Sequence, residues 1–302
     1  MKMSLWKTMG VRWEKEELQK WSSLKKTAYL LLPLLVYFIV HDIAEVLLLF
    51  PLNMLFTTGG ERICQFFSQY SDTIQGIVYG GASLIGVAAI LSIVKGEIIV
   101  SAAYENGDEE KRWLDEKKIR AYGFLAAFAF YIATGINILV CLTGLTGSSE
   151  AYNKVHEMQY GVQFAVGLVL YGIISPLAEE AVFRGVLYNR MKRCFNYKIA
   201  ILVSSLLFGI YHGNLVQAVY GSILGLMIAY FYDQYQSFAA PVLFHAVANV
   251  SMYVMNYQFG YDGMNRNEAL PITLLVGIAC IAVAGGIFFY IKRKCLDKVI
   301  RE

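Results

Sequence analysis

Two adjacent glutamates and an arginine lie beside a long apolar stretch of this sequence. Glu179 and Glu180 follow the apolar run of residues 161–177, and Arg184 comes four residues after Glu180. An ionisable group inside a membrane span is costly to bury without a partner and by default indicates a functional site. Residues four apart share one face of a helix, so we predict an ion pair between Glu180 and Arg184. On a helix Glu179 points about 100° away from Glu180, which leaves its carboxylate for another partner.

Three more polar residues lie in apolar segments of the second half. His212 comes four residues after Phe208, and His245 and Asn249 are four apart, on one face of a helix. These residue types are suited to activating water. A desolvated carboxylate can act as general base, a histidine can share its proton or bind a metal, and His and Asn can donate hydrogen bonds to an oxyanion. One carboxylate with two histidines, here Glu179, His212 and His245, is also a zinc ligand set.

The composition is that of a membrane protein. The chain has 302 residues, of which 57% are hydrophobic and 16% charged, whereas soluble domains carry about 25% charged residues. Several windows reach the roughly 20 apolar residues that span a bilayer as a helix. The apolar runs are continuous rather than alternating, which argues against a β-barrel. The net charge of +3 lies in loops and reports topology rather than nucleic-acid binding.

We predict about eight transmembrane helices from the apolar windows. They lie at residues 28–52, 73–95, 121–145, 158–178, 198–212, 215–232, 237–257 and 271–291. The fifth is short, and the fourth is expected to continue as a helix through the basic residues from Arg184 to Arg193. The expected fold is therefore an all-α polytopic membrane protein with its active site inside the helical bundle.

Basic residues alternate between the loops. The segments rich in Lys and Arg are 1–27, 95–120, 184–198 and 292–301, and the loops with one such residue are 53–72, 146–157 and 258–270. By the positive-inside rule both termini lie in the cytoplasm, which agrees with eight spans. We therefore expect a multi-pass protein of the cell membrane.

The amino-terminal 26 residues hold seven Lys and Arg and three tryptophans. Residues 11–26 could form a basic helix on a membrane surface, but we favour a plain cytoplasmic anchor. The first apolar run starts near Ala28, so we expect no ordinary cleaved signal peptide.

The polar residues can be placed at similar depths. At about 1.5 Å per residue, Glu179 lies roughly 16 Å from Arg190, which we take as the inner boundary. From the inner ends of their own spans, His212 lies roughly 21 Å deep, and His245 and Asn249 lie roughly 12 and 18 Å deep. All four side chains are therefore expected to meet near the middle of the membrane.

Three motifs, in order and on separate spans, resemble those of the CPBP family of intramembrane proteases, also called the CAAX-protease and bacteriocin-processing family. The motifs are Glu179-Glu180-x-x-x-Arg184 with Phe183 and Gly185, then Phe208-x-x-x-His212, then His245-x-x-x-Asn249. A lone EExxxR motif is weak evidence, whereas all three together are specific. The resemblance covers about residues 162–257, and the first three spans and the last match only in architecture.

The resemblance implies an intramembrane endopeptidase that cuts a membrane-associated or lipidated protein or peptide. It implies that Glu179 and His212 activate the water and that His245 and Asn249 stabilise the oxyanion. The family has been described both as metalloproteases and as metal-independent glutamate proteases, and these residues fit either. A zinc ion would be held by Glu179, His212 and His245, although His212 is not in the HExxH helix of the usual zinc proteases.

Several residues also have a structural interpretation. We expect Glu180 and Arg184 to support the site rather than to catalyse, because an ion pair lowers the cost of embedding both charges. His245 and Asn249 could instead join helices by hydrogen bonds, although we favour the catalytic interpretation.

Two further features lie outside the three motifs. Gly221 and Gly225 indicate close helix packing. His41, Asp42 and Glu45 form a polar cluster in the first span, where they could pair with other spans or line the access path to the site. We favour the structural pairing.

We divide the chain into four segments. They are a cytoplasmic basic segment (1–27), transmembrane helices with a charged cytoplasmic loop (28–157), a CPBP-like catalytic core (158–257), and a last helix with a basic cytoplasmic tail (258–302). The charged residues 105–118 are expected to be a solvated connector. The expected partners are membrane lipids and a peptide or protein substrate in or near the membrane, without nucleic acid. The five cysteines show no CxxC spacing and are expected to be single thiols.

Two other function classes compete with the protease. A non-catalytic bacteriocin self-immunity or membrane scaffold protein would keep its protective effect after Glu179→Gln. A transporter could use the buried carboxylates and histidines as a proton relay, but it would need inverted repeats, and the sequence shows no clear internal repeat.

Overall fold

A computed structural model describes residues 15–106, 116–259 and 270–296. Every regular element in these ranges is a helix, so the predicted all-α class is confirmed. In chain order the helices are α1 (Lys15–Gln19), α2 (Ser23–Thr58), α3 (Glu61–Gln69), α4 (Ser71–Ala89), α5 (Leu91–Asn106), α6 (Glu116–Leu142), α7 (Leu145–Ser148), α8 (Glu150–Gly161), α9 (Phe164–Cys194), α10 (Tyr197–Tyr211), α11 (Leu215–Tyr235), α12 (Ala239–Phe259) and α13 (Leu270–Tyr290).

The described helices include five that are long and apolar enough to cross a membrane. They are Ser23–Thr58, Ile119–Leu142, Phe164–Cys194, Leu215–Tyr235 and Leu270–Arg293. A sixth span results if α4 and the apolar start of α5, which meet at a bend of 68°, count as one. Helix α10 is apolar but shorter, and α12 coincides with a predicted span without being among the five. The polytopic membrane protein is confirmed, whereas the count of eight spans is not.

Two compact units make up the chain. The first consists of Met1–Ala102 and Glu157–Ser204, and the second of Ala103–His156 and Ser205–Glu302. In the first unit, α2 packs along α4, and α9 packs against both. The predicted catalytic core at residues 158–257 contributes to both units, and the division into four segments remains a prediction.

Helix α9 is the inner element of the first unit. All residues from 178 to 191 are buried, which is unusual because most helices expose a polar face. Two stretches of α9, Leu170–Ile174 and Ala181–Tyr188, have π-helical geometry. The helix runs without a break to Cys194, as predicted for the fourth span.

The second unit is organised around α6, which packs against α12 and α13. The ring of Phe128 on α6 lies 5.1 Å from that of Phe231, 5.8 Å from that of Phe244 and 6.0 Å from that of Phe288. Aromatic contacts of this kind stabilise helix packing beyond the area they bury. Because Phe244 is fixed in this cluster, the adjacent His245 is held at a defined place on α12.

The amino-terminal segment does not fit the alternative of one surface helix, which we had not favoured. Over its described part, residues 11–26 do not form one helix, because the chain turns between α1 and α2. The hydroxyl oxygen of Ser22 accepts a hydrogen bond from Lys25 N (3.4 Å) and caps the start of α2. Helix α1 packs against the end of α9, and its Leu18 is fully buried. The apolar side chain of Leu18 therefore packs against protein and is not exposed on the surface of α1.

Two segments predicted as loops contain helices. Helix α3 lies within residues 53–72 and starts at Glu61, whose charge favours a helix amino terminus. Helix α8 begins within residues 146–157 and continues to Gly161, and in it Lys154 pairs with Glu150 at 3.0 Å across one turn. The predicted charged connector and the loop at 258–270 lie largely outside the described residues.

The cysteines follow the sequence-based prediction where the structure describes them. They are single thiols at Cys64, Cys141, Cys194 and Cys280. Cys295 lies outside the described side chains.

Candidate active site

Glu180 and Arg184 form an ion pair inside the first unit. Arg184 donates a hydrogen bond from one terminal nitrogen to Glu180 Oε1 at 3.1 Å, and both side chains are fully buried. The predicted pair is therefore confirmed. Removing one partner of such a pair leaves an uncompensated buried charge, so the two residues depend on each other for their place in α9.

Glu179 has a different partner. The hydroxyl of Ser175, one helical turn earlier, donates a hydrogen bond to Glu179 Oε1, and the Glu179 side chain is 8% exposed. This bond orients one carboxylate oxygen along the helix. Sequence analysis missed Ser175, although its position four residues before a glutamate on an apolar helix was an available signal.

The backbone on both sides of Glu179 has stretches of π-helical rather than α-helical geometry. Pro176 has no N–H and cannot donate to the carbonyl four residues earlier. Just before it, Ser175 N–H donates to Leu170 O, five residues back, which is the π-helical pattern. A second π-helical stretch, Ala181–Tyr188, contains Arg184. Such departures from α-geometry often occur at functional sites, and here they lie on both sides of Glu179.

The end of α9 is fixed by a second buried ion-pair network. Arg190 donates from Nε to Glu97 Oε1 (2.7 Å) and from a terminal nitrogen to Tyr29 O (2.7 Å). Arg193 donates to Tyr29 Oη at 2.8 Å and to the second oxygen of Glu97. Arg190 is 1% exposed, so the residue that we took as the inner boundary is buried in the protein. Its charge is matched by Glu97, 93 residues away in the chain.

The two histidines of the second unit share one aromatic neighbour. The ring of Phe208 contacts that of His212 edge-on at 5.1 Å and that of His245 edge-on at 5.5 Å. Phe208 is 3% exposed. The phenylalanine of the second motif thus fixes the positions of both imidazoles. Asn249 is half-buried one turn after His245 on α12.

The backbone determines which nitrogen of His212 can act as a base. His212 Nδ1 lies 2.9 Å from Phe208 O, and because a carbonyl oxygen only accepts, Nδ1 carries the proton. The neutral ring then has its lone pair on Nε2. Helix α10 stops beside this residue at Gly213, whose φ of +73° suits glycine. Asn214 caps α11 by accepting a hydrogen bond from Gln217 N at 2.9 Å.

Helices α10 and α11 approach each other closely at Gly209 and Gly221, next to His212. A Cβ added to Gly209 would lie 2.1 Å from Ser222 Oγ and 2.4 Å from Ala218 O, so only glycine fits there. A Cβ added to Gly221 would lie 3.4 Å from the Cα of Gly209 and 3.7 Å from His212 Nδ1. The close packing predicted for Gly221 is confirmed.

The predicted site residues are divided between the two units. Glu179, with its neighbours on α9, belongs to the first unit, and His212, His245 and Asn249 belong to the second. Their meeting at one site remains a prediction. The donor set fits zinc chemically, since a metal-bound histidine commonly donates its other N–H to a backbone carbonyl, as His212 Nδ1 does.

Part of the chain matches a family of membrane peptidases. Residues 161–251, which include all three motifs, match the family described as Type II CAAX prenyl endopeptidase Rce1-like. No solved structure is a significant match. At the level of the family, this match supports intramembrane peptidase activity.

Curated relatives are similar over most of their length. The "Putative membrane peptidase YdiL" of Bacillus subtilis (strain 168) is 24% identical over 74% of this chain and 88% of its own. The "UPF0177 protein YxdF" of Lactococcus lactis subsp. lactis (strain IL1403) is 27% identical over 46% and 77%, respectively. The "Membrane-embedded CAAX protease MroQ" of Staphylococcus aureus (strain USA300) is 23% identical over 61% and 76%. The resemblance to the CPBP intramembrane proteases, predicted from three motifs, is therefore confirmed by the match of residues 161–251 to the Rce1-like CAAX prenyl endopeptidases.

Proposed function

We propose that this protein is an intramembrane endopeptidase of the CAAX-protease type, which hydrolyses a peptide bond in a membrane-associated or lipidated protein or peptide. Its substrate and the lipids around it are its partners. The protein is a multi-pass component of the cell membrane with both termini in the cytoplasm. The family match of residues 161–251 and the names of two relatives support this class of reaction.

The observation that carries the proposal is the different pairing of two adjacent carboxylates. Glu180 is neutralised by Arg184, whereas Glu179 accepts a neutral hydroxyl hydrogen bond from Ser175. A carboxylate held by a guanidinium is a poor proton acceptor because protonation would leave the cation unpaired. Glu179 accepts its hydrogen bond from the hydroxyl of Ser175, and we assign it as the general base.

The reaction needs a base, a proton shuttle and hydrogen-bond donors. Glu179 takes a proton from water as the oxygen attacks the carbonyl carbon, and Nε2 of His212 assists that transfer. His245 and Asn249 donate hydrogen bonds to the oxyanion of the tetrahedral intermediate. When the C–N bond breaks, the proton returns from Glu179 to the leaving amine, so protons balance over the cycle.

A zinc ion is compatible with this site. Glu179, His212 and His245 would hold it, and it would polarise the carbonyl and acidify water. With zinc bound, these three side chains would act as ligands rather than as base, proton shuttle and oxyanion donor, and Asn249 would still donate a hydrogen bond to the oxyanion.

The proposal is tested by comparing cells that carry the wild-type protein with cells that carry Glu179→Gln. New amino termini of membrane proteins and peptides are quantified by mass spectrometry. We expect a set of products that is lost in Glu179→Gln and kept in Glu61→Gln, because Glu61 is an exposed residue of α3. Products that persist in Glu179→Gln contradict the proposal. Protection against a bacteriocin that survives in Glu179→Gln would instead support the immunity protein.

A further inference from the structure

We propose that His41, Asp42 and Glu45 of α2 form a binding site for a divalent transition-metal ion, which is separate from the candidate peptidase site. One ring nitrogen of His41 and one oxygen from each carboxylate lie within 4.8 Å of one another. His41 and Glu45 are four residues apart and share a helix face. Imidazole and carboxylate donors together favour zinc among the common divalent ions.

The position of the cluster in α2 makes its charge costly. A span needs about 20 residues, and every 20-residue window of Ser23–Thr58 includes residues 39–42. His41 and Asp42 therefore belong to every such window, either within the span or at its end. Exposed apolar residues adjoin them, including Ile39 and Ile43, so the surroundings supply little compensation.

The cluster carries two negative charges without a cationic side chain. Within the part of the chain that the structure describes, no Lys or Arg pairs with Asp42 or Glu45, and the ion-pair contact of Asp42 is with His41. Asp42 is 76% exposed. With His41 neutral, a divalent cation brings the group to zero net charge, which removes most of the cost of placing both carboxylates there.

The hydrogen bonds of His41 leave one nitrogen for a metal. Nδ1 lies 3.0 Å from Asp42 Oδ1, and because a carboxylate accepts, Nδ1 carries the proton. The lone pair is then on Nε2, which is buried and has no hydrogen-bond partner among the described residues. A histidine that donates one N–H to a carboxylate and offers its other nitrogen is the usual arrangement of metal-binding histidines. The proposed protein ligands are therefore His41 and Glu45, with water in the remaining positions on the ion, and Asp42 completes the site by orienting the His41 ring.

Neighbouring aromatic residues hold this ring in place. The His41 ring contacts that of Tyr79 on α4 edge-on at 4.9 Å and lies 6.1 Å from that of Tyr37. Tyr37 in turn packs on Gly86 of α4, where an added Cβ would lie 2.9 Å from the Tyr37 ring. Packing of α2 on α4 therefore orients the ligand before an ion arrives, which is a feature of built metal sites.

Zinc binding to full-length protein in detergent, after chelator treatment, tests the inference. All variants are made in Glu179→Gln, so that the candidate active site contributes less to binding. We expect the parent to bind zinc, Glu45→Gln to bind at least about tenfold more weakly, and Asp42→Asn to lose about 10–100-fold. Glu61→Gln, on α3, should bind as the parent does. Glu45 is partly exposed, so its substitution leaves the fold intact.

The inference is overturned if the parent binds no zinc, or if Glu45→Gln binds zinc as tightly as Glu61→Gln does. The readout is binding rather than peptidase activity, so it stands apart from the proposed function. A protein with Glu45→Gln and the wild-type Glu179 that binds less zinc but still cleaves substrate would support the zinc site and the proposed function independently.

Discussion

The Nδ1–H of His212 donates a hydrogen bond to the carbonyl oxygen of Phe208, one helical turn earlier. The ring of the same phenylalanine contacts both His212 and His245. Phe208 thus connects the residue expected to assist the base with one expected to stabilise the oxyanion. This double contact gives a physical reason for an aromatic residue at the first position of the second motif.

Substitution Phe208→Leu is expected to lower kcat more than it changes KM. Aromatic contacts contribute about 0.5–1.5 kcal/mol each, so losing two should lower kcat about tenfold. The measurement is steady-state cleavage of an identified substrate by purified protein. Phe66→Leu on α3, which also loses two aromatic contacts, is the matched control and should keep kcat. Equal effects of the two substitutions would show that Phe208 acts only through packing.

Ser175→Ala is expected to lower kcat about tenfold or more, since a hydrogen bond to a charged group contributes about 1.5–3 kcal/mol. Ser175→Thr keeps the hydroxyl and should recover most of the activity. Cleavage rates and KM of both variants are compared with the wild type. A purely structural role for Ser175 would be indicated if both variants lost activity in parallel with their resistance to unfolding.

Glu180→Gln is expected to destabilise the protein by about 3–5 kcal/mol, because it removes the charged hydrogen-bond partner of the fully buried Arg184. The double variant Glu180→Leu with Arg184→Met replaces the pair by apolar groups and should recover most of that loss. Unfolding in mixed detergent micelles measures both. Since the pair is expected to support rather than catalyse, the double variant should retain measurable cleavage, and complete inactivity with an intact fold would assign it a chemical role.

Gly209→Ala is expected to destabilise the second unit by about 1–3 kcal/mol, as overpacking does. Its Cβ would collide with Ser222 Oγ and with the backbone at Ala218 O. Gly221→Ala places its Cβ at ordinary contact distance and should cost less. The two variants are compared by thermal unfolding in detergent. If Gly221→Ala were the more harmful, the close approach at Gly209 would not be the tight contact between these helices.

Local relationships were predictable from the sequence, and long-range ones were not. The Glu180–Arg184 pair follows from spacing along one helix. The pairing of Arg190 with Glu97 joins residues 93 positions apart, and no periodicity in the sequence indicates it. The shared contact of Phe208 with both histidines likewise depends on tertiary packing.

The number of spans was harder to predict than their existence. The predicted spans are helical over most of their length, because backbone groups in apolar runs must bond within the helix, but the predicted span 158–178 is interrupted at Val162 and Gln163. Span length is less certain, since α10 has only 15 residues and α4 meets α5 at a bend of 68°. The apolar composition of a segment indicates neither a bend nor the exact length of a helix. For this reason the predicted count of eight spans is not confirmed.

The most direct test of the central claim is cleavage by purified protein. Wild type, Glu179→Gln, His212→Ala and the control Glu61→Gln are prepared in detergent, and their folding is checked by size exclusion. Each is incubated with a substrate found by the comparison of cells. We predict cleavage by wild type and Glu61→Gln, and loss of cleavage in Glu179→Gln and His212→Ala. Undiminished cleavage by folded Glu179→Gln would contradict the assignment of Glu179 as the base.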